Sequence, residues 1–266
     1  MANNREQTLN KLFENVSYGS SNSVIAHAGG SIKTTDSKFQ SYTNSRQAIF
    51  NSINDGKKLI EIDLKTTSDG ILIGAHTWKK LKKSLKITND STNASISYDD
   101  FKKYRLRSRF YPVDIFDLNV IFENHPDLIL ITDKTRDYKL LAKSFKFLNR
   151  VIVECFDLYE CKKAQEANLK YVALNLKDFT RKDLKQYLTR NKIKTITFSS
   201  KLLEEKFAKN KAQDLIKAGF FSLVYTSNND NYIRDNLGVT ASAFYTDYWS
   251  LKNKSCIAKG EKCNTY

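Results

Sequence analysis

VIVECFDLYECKKAQEANLKYVALNLKDF, residues 151–179, reads as strand, helix, strand. VIVECF (151–156) and YVALNL (171–176) are β-rich apolar runs of strand length, and residues 158–168 between them carry a helical pattern. Strands joined through a helix pair in parallel, with the helix packed on one face of the sheet. The same alternation extends in both directions. TITFSS (195–200), FFSLVYT (220–226) and TASAFYT (240–246) follow, separated by helical segments near 180–190, 202–218 and 228–236. Upstream lie SVIAHA (23–28), LIEIDL (59–64), extended past a turn by ILIGAH (71–76), and LILITDK (128–134). Helical segments near 45–55, before Pro126 and at 137–148 fill the gaps, the first stopped by Gly56. Eight strands alternating with helices predict an α/β fold, a (β/α)8 TIM barrel in a single domain. A doubly wound open sheet is the alternative.

The barrel is expected over residues 23–248, preceded by a helical and polar segment at 1–22 and followed by a polar tail at 249–266. Residues 77–114 break the rhythm with a basic, polar stretch, expected to be an insertion or long loop after the second strand. Its Lys79, Lys80, Lys82, Lys83, Arg105, Arg107 and Arg109 offer a lid or docking surface for an anionic substrate. Across the 266 residues, 44 Lys and Arg against 29 Asp and Glu leave a net charge of +15, which favours anionic partners. The chain carries no RNA-binding motif, so a specific nucleic-acid partner is not expected. The N-terminus lacks an apolar core of signal-peptide length and no stretch approaches bilayer-spanning length, so a cytoplasmic protein is expected. Cys155, Cys161, Cys256 and Cys263 have no zinc-like spacing and are expected as free thiols, although the last two would close a small loop in an oxidising environment.

Active sites of such barrels form at the C-terminal ends of the strands. His27 ends the first strand, Glu61 and Asp63 the second, and Asp133 and Lys134 the third, with His76 after the second strand's extension and Glu154 near the end of the fourth. Residues two apart on a strand share a face, so Glu61 and Asp63 point the same way. Two such acids alone would fit a solvated pair beside a lysine. Their company at successive strand ends argues for a shared site. Clustered carboxylates in a low-dielectric mouth repel one another unless a cation neutralises them, and oxygen ligation favours magnesium, calcium or manganese. A hard cation polarises a phosphoryl oxygen, and a histidine on each side then serves as general acid or base. His125, in ENHPD, lies outside this constellation and is expected as a surface or capping residue.

These residues resemble the glycerophosphodiester phosphodiesterases, metal-dependent (β/α)8 enzymes related to the phosphatidylinositol-specific phospholipases C. The resemblance rests on His27-Ala28-Gly29-Gly30, Thr43-Asn44-Ser45, Glu61-Ile62-Asp63, Thr67-Ser68-Asp69-Gly70 and His76, in that order. It spans about residues 23 to 248. It implies hydrolysis of a phosphodiester to an alcohol and a phosphomonoester, with Glu61, Asp63 and Asp133 as ligands of a divalent metal. It further implies His27 and His76 as the acid and base, and Asn44, Lys134 and Glu154 as contacts to substrate or phosphate. The implied substrate is a glycerophosphodiester or a glycerol-phosphate polymer, with peripheral contact to an anionic membrane open. Three departures stand out: Ala28 replaces the family's arginine, Thr43 replaces a glutamate, and the usual Glu-x-Lys reads Thr132-Asp133-Lys134. A phospholipase-like lipid phosphodiesterase or lyase at a membrane surface is the enzymatic alternative. A non-catalytic anion-binding barrel is the alternative of another class.

Overall fold

The structure is a computed structural model that describes residues 9–13, 16–34, 38–87, 93–258 and 260–264. Its centre is a ring of eight parallel strands: β1 (Val24–Ala26), β2 (Leu59–Thr66), β3 (Ile129–Asp133), β4 (Val151–Cys155), β5 (Tyr171–Leu176), β6 (Thr195–Ser199), β7 (Phe221–Tyr225) and β8 (Ala243–Thr246). Each pairs with its sequence neighbours, and β1 pairs with both β2 and β8. That last pairing closes the barrel and excludes the open sheet, which would leave two edges. Connecting helices, among them Arg46–Asn54, Ile115–Asn124 and Leu158–Glu166, cover the outside. Their starts are written locally. Ser45 accepts from the Ala48 amide, and Asp114 and Asp117 form a reciprocal capping box. His125 is the residue that ends Ile115–Asn124, its amide bonded to the Ile121 carbonyl.

Strand alternation builds the interior in layers. Ile25, Leu59, Ile129, Ile131, Ile152, Ala173, Leu223 and Ala243 form the apolar centre. One inward position further along come Glu61 then Asp63, Asp133, Glu154, Asn175, Tyr225 and Tyr245, so polar groups collect at the C-terminal ends. At the opposite end Phe13, from the short helix Leu9–Phe13, joins the same cluster with its ring 5.2 Å from that of Phe221. Phe13→Ala is therefore expected to cost about 3–5 kcal/mol in urea unfolding. A cost below about 1 kcal/mol would show that the helix does not seal the barrel.

Among the described residues of 77–114 lie two helices, Trp78–Leu85 and Tyr98–Lys103. Trp78, Leu81 and Leu85 recur at helical spacing on one face and pack with Phe101, Leu106 and Phe110 as a satellite core against Ile73. Interleaved lysines hide that pattern in the sequence. Asp69, in the turn after β2, accepts from the Tyr98 amide at 2.9 Å and ties the insertion down. Downstream of the barrel, Trp249–Ser250 and Ser255–Cys256 form a small antiparallel pair, with Trp249 fully buried.

The expectation of free thiols is corrected: Cys155 bonds Cys161, and Cys256 bonds Cys263. Cα separations of 5.2 and 5.6 Å lie within the span a disulfide bridges. Cys155 ends β4 and Cys161 lies in the helix that follows, so the turn between them creates the proximity. No helix among the described residues is long and apolar enough to cross a membrane.

Candidate active site

The polar ends of the strands enclose a cavity of about 290 Å³. His27, Glu61, Asp63, His76, Asp133, Lys134 and Glu154 all line it. Asn44 lies just behind, its side-chain amide donating to Asp63 Oδ2 at 2.9 Å and its carbonyl accepting from the Asp63 amide at 3.1 Å. That reciprocal pair fixes the carboxylate and occupies Asn44. Asn44 itself is held in a left-handed conformation (φ 46°) close against Gly74. A Cβ on Gly74 would sit 2.7 Å from Val113 Cγ1 and 3.0 Å from Asn44 Cβ, so only glycine permits the approach.

Parallel register sets Asp63 beside Asp133. Together with Glu61 they place one carboxylate oxygen each within 4.8 Å of one another, all three side chains buried. The Ala28 amide donates to Glu61 Oε2 at 2.6 Å. Ala28 takes a left-handed φ of 47° in the turn His27–Gly29. Its buried methyl brings no cation, and Lys134 is the one lysine or arginine among the described residues lining the cavity. Adjacent Asp133 and Lys134 both reach the mouth because β3 stops at Asp133 and Lys134 turns to φ 62°. The Lys134 ammonium pairs directly with Asp133 and lies 4.0 Å from Asp63 Oδ1.

Electrostatics separates the acids. Burial, then the charges of Asp63 and Asp133, pushes the Glu61 carboxyl well above the usual carboxylate range. Burial and the charges of Asp63 and Glu154 do the same to Asp133, which Lys134 only partly offsets. Asp63 is buried too, yet hydrogen bonds from His76 and Asn44 and the nearby Lys134 hold its carboxyl below the ordinary value. Glu154 is raised by burial despite bonds from Tyr245 and Thr197. Lys134 also resists burial, since Asp133, Asp63 and Glu154 keep it charged.

A divalent cation fits these residues. Asp133 Oδ1 is buried with no hydrogen-bond partner among the described residues, and an unsatisfied buried carboxylate oxygen is costly. Three converging hard oxygens match magnesium, calcium or manganese better than zinc. A dication among them would offset the burial and mutual repulsion that raise the Glu61 and Asp133 carboxyls.

Each histidine is oriented through Nδ1. His27 Nδ1 lies 3.1 Å from Asp247 Oδ1, and His76 Nδ1 lies 3.0 Å from Asp63 Oδ1 and 2.7 Å from the Tyr42 hydroxyl. A carboxylate only accepts, which assigns the proton to Nδ1 and leaves Nε2 to exchange one. Burial and then Asp63 raise the Tyr42 hydroxyl, so it stays a neutral phenol.

Tyr42, Asn175, Tyr225, Tyr245 and Asp247 also belong to the site, and none of them is among the candidates that the sequence offers. Three obey a readable rule, since Asn175, Tyr225 and Tyr245 stand two residues beyond inward-facing Ala173, Leu223 and Ala243. Tyr42 and Asp247 lie outside regular strands, where no periodicity marks them.

No family model and no curated protein matches the chain. Solved structures do. A glycerophosphodiester phosphodiesterase from Parabacteroides distasonis is 18% identical, with 85% of this chain and 92% of that one covered and a TM-score of 0.66. An Oleispira antarctica phosphodiesterase, solved with its product sn-glycerol-3-phosphate, is 15% identical over 86% and 94%, with a TM-score of 0.67. A glycerophosphodiester phosphodiesterase from Thermotoga maritima is 18% identical over 77% and 88%, with a TM-score of 0.59. At these identities the likeness establishes architecture: the chain is built on the (β/α)8 barrel that these phosphodiesterases share.

Proposed function

We propose that this protein hydrolyses a phosphodiester, such as a glycerophosphodiester, to an alcohol and a phosphomonoester with the help of a divalent cation. The observation that carries this reading is the buried trio Glu61, Asp63 and Asp133 facing the same cavity as two carboxylate-oriented histidines and one lysine. In it, Glu61, Asp63 and Asp133 hold the cation. A cation bound there polarises a phosphoryl oxygen and offsets negative charge on the transition state.

The remaining work falls to the chain's own groups. Lys134 binds a phosphoryl oxygen through its ammonium, taking the part that Ala28 cannot. One histidine accepts a proton at Nε2 from the attacking water, whose oxygen bonds to phosphorus. As the bond from phosphorus to the ester oxygen breaks, the other histidine donates its Nε2 proton to the departing alcohol. Asp247 and Asp63 stabilise the imidazolium in its turn, and Asn44 keeps Asp63 in place.

The test is a screen of phosphodiesters with magnesium, calcium and manganese, with and without chelator. Phosphomonoester release that the chelator abolishes and one of these ions restores is expected. Release that persists in chelator would overturn the reading. Phosphorus NMR of the product separates direct hydrolysis from a lyase route, which would leave a cyclic phosphate.

A further inference from the structure

A second cavity, of about 430 Å³, adjoins the first and shares Tyr42 and His76 with it. Its floor is formed by Ala75, Leu81 and Leu106, and its rim by Lys80, Lys83 and Arg107 from the insertion. No acidic side chain stands among the described residues that line it. Three cations without a carboxylate make a strongly one-signed pocket, and such a pocket concentrates anions.

Tyr42 is the wall between the two cavities. Its hydroxyl touches His76 Nδ1 at 2.7 Å, while Lys80 Nζ lies 5.6 Å from its ring centroid. Arg107 is held over the opening by a 2.9 Å bond from its guanidinium to Gln40 Oε1. Of the seven basic residues in the stretch 77–114 singled out from the sequence, only Lys80, Lys83 and Arg107 line this cavity. Arg105 is instead stacked over the Tyr111 ring at 3.9 Å, and Lys82 is buried.

We infer that the second cavity is a subsite for a second anionic group, a phosphate or carboxylate on the ester substituent lying on the His76 side, bound by Lys80, Lys83 and Arg107. The preferred substrate is then a phosphodiester whose alcohol carries its own negative charge. This rests on the phosphodiesterase reading for the assignment of the first cavity.

Calorimetric titration in magnesium buffer tests it, with inositol 1-phosphate and inositol 1,4-bisphosphate as probes. The bisphosphate is expected to bind the unaltered protein about tenfold or more tightly than the monophosphate, as charge-assisted hydrogen bonds to a second phosphate imply. In Lys83→Ala and Arg107→Gln, both at exposed positions, that ratio is expected to fall to about threefold or less, while Lys79→Ala, on the same helix outside the cavity, keeps it. Equal affinities in the unaltered protein, or a ratio untouched in both variants, would overturn the subsite. Should the bisphosphate preference hold while the protein hydrolyses no phosphodiester, the catalytic reading alone fails.

Discussion

Glu61→Gln is expected to lower kcat/KM by a factor of about 10³ or more, since a bound cation supplies several kcal/mol to the transition state. The same substitution is expected to raise the melting temperature of the cation-free protein at neutral pH. A buried carboxylate beside Asp63 and Asp133 stabilises the fold only while it holds a proton. Because folding raises the Glu61 carboxyl above its ordinary value, its contribution is fully present below that ordinary value and is lost as pH rises through the raised one. Melts of unaltered protein and variant in chelator, at about pH 5 and about pH 8, should differ more at the higher pH. The glutamine side chain keeps an oxygen to accept from the Ala28 amide, and exchanges the ionisable second oxygen for a neutral NH2 group. An unchanged rate, or a variant less stable than the unaltered protein at the higher pH, would contradict this.

His27→Ala and His76→Ala are each expected to lower kcat by about 10²–10⁴, the usual worth of a positioned acid or base. They should differ in cation affinity. His76 bonds Asp63, so its removal loosens a carboxylate of the trio, whereas His27 bonds Asp247, which stands outside it. Weaker cation binding in His76→Ala and unaltered binding in His27→Ala would separate orientation from chemistry. The two losses should not add, because acid and base act on one reaction. Retained turnover in both variants would remove the histidines from the mechanism.

Much of this arrangement was legible in residues 23–248. Both faces of a parallel barrel strand are buried, so each strand is an apolar run of the expected length, and an acid interrupting such a run stands out. Glu61, Asp63, Asp133 and Glu154 are visible for that reason. The adjacency of Asp133 and Lys134 is resolved by the end of β3, where a left-handed turn lets both face inward. Chain closure decides what sequence order hides. Asp247 meets His27 across 220 positions, and Tyr245 meets Glu154 across 91. Aromatic residues at inward positions look like core until the ring closes around them, which is why Tyr225 and Tyr245 escape notice. The disulfide Cys155–Cys161 depends likewise on a strand-to-helix turn rather than on a recognisable spacing.

The most direct measurement is calorimetric titration of chelator-stripped protein with magnesium, calcium and manganese, beside Asp133→Asn. The account predicts a single site for at least one of these ions, tighter at higher pH because protons compete with the cation for the raised Glu61 and Asp133 carboxyls, and lost or severely weakened in the variant. Absence of binding to the unaltered protein, or equal binding by the variant, would contradict the claim that Glu61, Asp63 and Asp133 form a metal centre.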